Sequence, residues 1–238
     1  MAAHLVLVHG SRLSKTQWSP QLPFLAGRAT VGLVDLPGHG SRAGEDFTLA
    51  RCVEVIGEAV ASAPAGGTVV LVGHSLGGYA AMAYAAERGP SLGGLVLADC
   101  SATPTGPGAA VYRGVAALTH RLGPERMTRV NDRILRRLYA PEMIEPVLAG
   151  GYYFAATPSA WREVMTGCRP AMLSGLACPV LVLNGQFDQF RIGARSFVRA
   201  IPQARVELIR RASHLSTFDQ PQAFADAVLR FTDSVDRA

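Results

Sequence analysis

Short apolar runs punctuated by turn residues recur along the chain at strand length, with helical periodicity in the intervals between them. Residues 4–8 (HLVLV), 30–36 (TVGLVDL), 69–72 (VVLV), 94–98 (GLVLA), 179–184 (PVLVLN) and 205–209 (RVELI) predict six strands. Most of these runs are almost continuously apolar, as expected of strands buried on both faces. Leu49, Val53, Ile56 and Val60 recur at three- and four-residue spacing, and so do Phe224, Val228 and Phe231. That spacing puts them on one face of a helix. Residues 17–27, with Trp18, Leu22 and Leu25, and residues 192–200 read as shorter amphipathic stretches. Strands alternating with helices predict an α/β domain, its mostly parallel sheet of about six strands flanked by helices. Residues 102–167 break the alternation: a Pro/Gly-rich opening (TPTGPG) is followed by helical patches without a β run. So long a connection reads as an inserted helical lid. The expected organisation is a core of residues 1–101 and 171–238 around an insertion at 102–170.

Composition narrows the class. The 238 residues are 49% hydrophobic and 17% charged, a balance that excludes disorder. No apolar run approaches the ~18 residues of a membrane span, and the opening MAAHLVLVHG lacks the basic region of a secretory signal. Cys52, Cys100, Cys168 and Cys178 show no CxxC spacing, so they read as free thiols in a reducing, cytoplasmic setting. The formal charge is +5, but Lys15 is the only lysine and no basic recognition module appears, which argues against nucleic acid. The histidines are scattered and no HExxH or Cys/His cluster is present, so neither a metal nor an organic cofactor is expected.

Candidate chemistry centres on the third strand. Gly73-His74-Ser75-Leu76-Gly77-Gly78 joins it to a small-residue helix, with Ser75 at the apex. Glycines two before and two after the serine relieve crowding in so tight a turn. The helix N-terminus beyond it favours developing negative charge. A serine hydroxyl needs a base, and His214 is the only histidine after the last strand. Asp99 and Asp188 both end strands, and either could orient that imidazole.

Taken together, His9-Gly10, residues 35–41 (DLPGHGS), residues 73–78, residues 185–188 (GQFD) and Ser213-His214 resemble the α/β-hydrolase family over nearly the whole chain. The resemblance implies a nucleophile–acid–histidine order of Ser75, Asp188 and His214, with Asp188 in the Gly-x-x-Asp turn where the family places its acid. It assigns the oxyanion hole to the N–H groups of Ser11 and Leu76. It also makes His9 a loop brace; His39, in its own turn, reads as another, His74 is expected to point into the sheet, and His4 and His120 receive no role. The family commonly has two more strands before the His-Gly strand, for which there is no room here.

The insertion carries Arg121, Arg126, Arg129, Arg133, Arg136 and Arg137, with Met127, Val130, Ile134 and Leu138 on the alternate face. Such a stripe is either a solvated face or a guide for an anionic substrate or an acyl carrier protein. Tyr112, Tyr152, Tyr153, Phe154 and Trp161 are candidates for a pocket beneath the lid or for the lid's own core. Tyr79 and Leu215, beside the nucleophile and the base, are further candidates for substrate contact.

The implied activity is a serine hydrolase acting through an acyl-enzyme on a small-molecule ester or lactone, as a monomer or homodimer. The stretch HLSTFDQP is similar to the ending of enol-lactonases. Thioesterase or biosynthetic tailoring activity, carbon–carbon hydrolysis and cofactor-free perhydrolysis use the same residues. So does a non-catalytic binding relative, the alternative from a different class.

Overall fold

The computed structural model describes residues 2–102 and 123–236. Six strands are present: β1 (His4–Val8), β2 (Thr30–Val34), β3 (Val69–His74), β4 (Gly94–Ala98), β5 (Val180–Gly185) and β6 (Ala204–Ile209). They form one sheet in the order β2-β1-β3-β4-β5-β6, every pair parallel. The principal helices are α1 (Leu49–Ala61), α2 (Leu76–Arg88), α3 (Pro124–Leu138), α4 (Pro141–Leu148), α5 (Thr157–Gly167), α6 (Ala194–Ala200) and α7 (Pro221–Val235).

Strand geometry explains the layers. Successive side chains point to opposite faces, so each apolar run feeds two cores at once. Val6, Val8, Leu71, Leu95, Leu97 and Val182 pack with α1 and α2 on one side. Leu5, Leu7, Val70, Val72, Val96 and Leu183 pack with Trp18, Phe224, Val228 and Phe231 on the other. Residues 17–27 split into a 3₁₀ turn at Lys15–Trp18 and a short helical turn at Leu22–Leu25, yet Trp18 and Leu25 are buried as their spacing predicts. The four cysteines are buried and unbridged. No helix among the described residues is long and apolar enough to cross a membrane.

Between β4 and β5 the described chain is helical. On α3, Arg126, Arg129, Arg133, Arg136 and Arg137 are exposed. The opposite face differs from the periodicity's expectation: Leu135 is buried with Ile144, Val147 and Phe218, whereas Val130, Ile134 and Leu138 are exposed. Ala160 and Val164 of α5 join the same buried cluster as α1 and α2. Tyr112, His120 and Arg121 lie outside the described residues.

Parallel register brings the strands' carboxyl ends to one edge. Val8 sits level with Gly73 and Val34, and Ala98 with His74 and Leu183. Sequence order reverses between β1 and β3, and such a reversal opens a crevice at this edge. The elbow after β3 closes only because of its glycines. A Cβ on Gly73 would stand 2.3 Å from the Gly77 carbonyl oxygen, and one on Gly77 would stand 2.3 Å from the Val8 carbonyl oxygen. Backbone is the obstacle in both cases, so nothing nearby can swing aside. Gly77→Ala is expected to cost about 3 kcal/mol or more in urea unfolding. Gly44→Ala, with open space around it, serves as the control and should stay within about 0.5 kcal/mol.

Candidate active site

Ser75 occupies the turn between β3 and α2 with φ 51°, a left-handed conformation unfavourable for a residue with a side chain. Its N–H donates to the Ala98 carbonyl at 2.8 Å, anchoring the turn to the neighbouring strand. The Ser75 Oγ lies 3.0 Å from His214 Nε2, and His214 Nδ1 lies 3.1 Å from Asp188 Oδ1. Three residues from three separate loops thus meet in one line.

The two strand-end acids have different surroundings. Asp188 Oδ1 also accepts from the Phe190 N–H at 3.0 Å, and Oδ2 accepts from Asn184 Nδ2 at 2.9 Å. Ser101 Oγ donates to Asn184 Oδ1 at 2.9 Å, fixing that amide in turn. Burial raises the Asp188 carboxyl, but bonding to His214, the Phe190 N–H and Asn184 outweighs it, and the group lies below its ordinary value. Asp99 is fully buried; it accepts from the Gly185 N–H at 2.8 Å and from Ser216 Oγ. There burial wins and pushes the carboxyl up, with the neighbouring Asp188 adding to the effect. Asp99 binds loop groups and Asp188 binds the imidazole.

The turn after β1 supplies the facing wall. His9 Nε2 accepts from the Leu36 N–H at 3.0 Å, and Nδ1 donates to the Gly10 carbonyl at 2.8 Å. Burial pushes His9 down to about 3, consistent with a neutral brace. His39 Nε2 accepts from the Arg12 N–H at 3.3 Å, and its Nδ1 donates to the Pro37 carbonyl at 2.9 Å. Asp35 accepts from the N–H groups of Lys15 and Ser41. The Ser11 N–H has no acceptor among the described residues. Leu76 is the first residue of α2, so its N–H precedes the helical ladder.

A cavity of about 200 Å³ opens over Ser75 and His214, with Ser11, Arg12, Trp161 and Leu215 on its walls. A second, of about 230 Å³, adjoins it and is lined by Ser11, Arg12, Tyr152, Leu215 and residues of α3. Trp161, Leu215 and Tyr152 therefore reach these spaces. Tyr79 does not: it is 2% exposed, packed in the core, and its hydroxyl donates to the Ala102 carbonyl at 2.7 Å. Four residues beyond Ser75, about one helical turn, it is carried down the helix into the body. Tyr153 lines neither cavity. Its N–H donates to the Arg12 carbonyl at 2.8 Å, its hydroxyl donates to Gly150, and its ring packs 5.9 Å from His39. It braces the loop rather than touching the space.

Three cavity residues escaped the sequence reading. His74 does not turn into the sheet; it lines the cavity, its ring 5.5 Å from that of His214, with Nε2 donating to the His214 carbonyl at 3.0 Å. Gln17 is fully buried there, its Oε1 accepting from the Gly10 N–H at 2.7 Å. Arg12 is the third. Asp219 is a brace that only the fold reveals. It accepts from the Ser213 N–H and hydroxyl, both at 2.6 Å, and from the Tyr139 hydroxyl, also at 2.6 Å.

The sequence profile described as Alpha/beta hydrolase family matches residues 5–227. The chain belongs to the alpha/beta hydrolase family. Among curated relatives of this chain, the sn-1-specific diacylglycerol lipase ABHD11 of Mus musculus is 28% identical over 68% of this chain and 58% of its own length. The pimeloyl-[acyl-carrier protein] methyl ester esterase of Stenotrophomonas maltophilia is 41% identical over 42% of this chain and 36% of its own. The chain thus spans 58% and 36% of the length of these two relatives. Among solved structures, a thermophilic esterase from Thermogutta terrifontis superposes with a TM-score of 0.78 at 28% identity, covering 99% of this chain and 91% of that one.

Proposed function

We propose that this chain is a serine hydrolase that cleaves a small ester or lactone through an acyl-enzyme. The observation that carries the reading is the continuous Ser75–His214–Asp188 hydrogen-bonded line. Family membership and the esterase names among its relatives support it.

In this reading His214 Nε2 takes the Ser75 proton as Oγ attacks the carbonyl carbon. Asp188 accepts from Nδ1–H, which fixes the tautomer and balances the imidazolium. The N–H groups of Ser11 and Leu76 receive the oxyanion; losing one such donor costs about 100- to 1,000-fold in rate. His214 then gives its proton to the leaving alcohol, and the same base activates water to release the acid. The helices between β4 and β5 serve as a cap over the two cavities.

Labelling with a fluorophosphonate tests the reading. Wild type should label promptly and Ser75→Ala not at all. A wild type that stays unlabelled is instead a binding relative of the family, and the enzyme reading falls.

A further inference from the structure

Three successive N–H groups in the loop after β1 have different fates. The Gly10 N–H donates to Gln17 Oε1 at 2.7 Å and the Arg12 N–H donates to His39 Nε2 at 3.3 Å. The Ser11 N–H between them has no acceptor among the described residues. Side chains thus take the outer two donors and leave the middle one beside the cavity over Ser75, whose wall includes Gly10, Ser11 and Gln17.

Glycine at position 10 makes such pinning necessary. A Cβ there would stand 2.8 Å from His74 Nδ1 and 3.3 Å from Gln17 Oε1, so the packing of these two side chains favours glycine. Glycine is also the least restrained residue in φ and ψ, and the two peptide planes that meet at its Cα need outside support. Gln17 holds the first plane through the Gly10 N–H. His9 Nδ1 holds the second through the Gly10 carbonyl at 2.8 Å, and that second plane carries the Ser11 N–H. The His9 bond joins adjacent residues, whereas the Gln17 bond ties Gly10 to a separate turn.

That turn is anchored on three sides. Trp18, next to Gln17, is fully buried in the core with its ring 5.8 Å from that of Phe224. The Lys15 N–H donates to Asp35 Oδ1 at 2.8 Å, and Thr16 Oγ1 donates to the Val147 carbonyl of α4 at 2.9 Å. Gln17 itself is fully buried, and its Nε2 has no hydrogen-bond partner among the described residues. An unmet donor in a buried amide costs stability, so Gln17 is a poor choice for packing alone.

The geometry points to Gln17 as a positioning residue, its Oε1 setting the Gly10 peptide so that the Ser11 N–H is aimed at the oxyanion. The inference rests on the serine-hydrolase reading and deepens it. Gln17 acts through Gly10 and not on the substrate. The oxyanion forms in the transition state and is absent from the bound ester, so a misaimed donor costs kcat rather than KM.

Gln17→Met and Gln17→Asn test this, the first removing the acceptor at similar length and the second withdrawing it by one methylene. Rates on p-nitrophenyl butyrate are referred to active sites titrated to completion with the fluorophosphonate, so that an unfolded fraction is not counted. Both variants should lower kcat about 10- to 100-fold, less than full loss of an oxyanion donor, with KM within about threefold of wild type. A pair of ketones separates aim from cavity shape. Ser75 Oγ adds to the carbonyl carbon of 1,1,1-trifluorohexan-2-one, its proton passes to His214, and the carbonyl oxygen becomes a hemiketal oxyanion; hexan-2-one binds without addition. Ki for the trifluoro ketone should rise with the loss in kcat, about 10- to 100-fold, while Ki for hexan-2-one stays within about threefold. A kcat within about threefold of wild type in both variants, a loss confined to KM, or equal weakening of both ketones overturns the inference and leaves the hydrolase reading intact. A wild type that neither hydrolyses the ester nor takes the fluorophosphonate overturns both.

Discussion

Ser75→Ala and His214→Ala should each lower kcat for ester hydrolysis by about 10⁴- to 10⁶-fold, and the double variant should be no slower than the worse single. The non-additivity follows from the geometry. Without the imidazole the Ser75 hydroxyl keeps its proton, and without the hydroxyl the imidazole has nothing to activate except water. The 3.0 Å contact between Oγ and Nε2 makes the two one functional unit. Steady-state kinetics on a p-nitrophenyl ester reads this directly, with thermal unfolding to show that each variant is folded. A single variant within tenfold of wild type would mean that another group supplies the nucleophile or the base.

The second large effect separates two acids that end adjacent strands. Asp188→Asn should lower kcat by about 10³- to 10⁴-fold, because an amide can neither balance the imidazolium nor enforce the tautomer that leaves Nε2 free to accept. Asp99→Asn should cost about tenfold or less in kcat and act instead on stability, lowering the urea midpoint. Its carboxylate ties the Gly185 N–H and Ser216 Oγ to the end of β4. The charge distribution supports the division. Bonding to His214, Phe190 and Asn184 outweighs burial and keeps Asp188 below its ordinary value, whereas burial leaves Asp99 above. A greater loss of activity in Asp99→Asn than in Asp188→Asn would reverse the assignment.

The two acids also show how far a sequence can be read. Both follow apolar strands; the resemblance of the Gly-x-x-Asp turn favours Asp188, but the apolar pattern by itself does not distinguish them. What does is the path after β5, where Asn184 and the Phe190 N–H aim a carboxylate at a histidine 26 positions away. The strands themselves were legible because two-sided burial leaves nearly unbroken apolar runs, and the elbow because its glycines have backbone on every side. Aromatic residues near the motifs were harder. Tyr79 and Tyr153 sit close in sequence to reacting groups or to the cavity wall, yet helix phase buries one and a contact with His39 claims the other. Arg12, Gln17 and His74 carry little signal in one dimension. Their importance comes from β1 and β3 lying side by side, which only long-range pairing establishes. The face of α3 departs from its periodicity because a single residue, Leu135, meets the packing of α4 and Phe218, leaving Ile134 and Leu138 outward.

One carboxylate adds a polar tie to the packing of Leu135 and Tyr139 on Phe218, which already joins the end of α3 to the stretch after His214. Asp219 grips the loop bearing the base from below and the hydroxyl of Tyr139, just past the end of α3, from above. Removing the Tyr139 hydroxyl would leave Asp219 with the two Ser213 donors alone, so the last turn of α3 and the approach to His214 share one anchor.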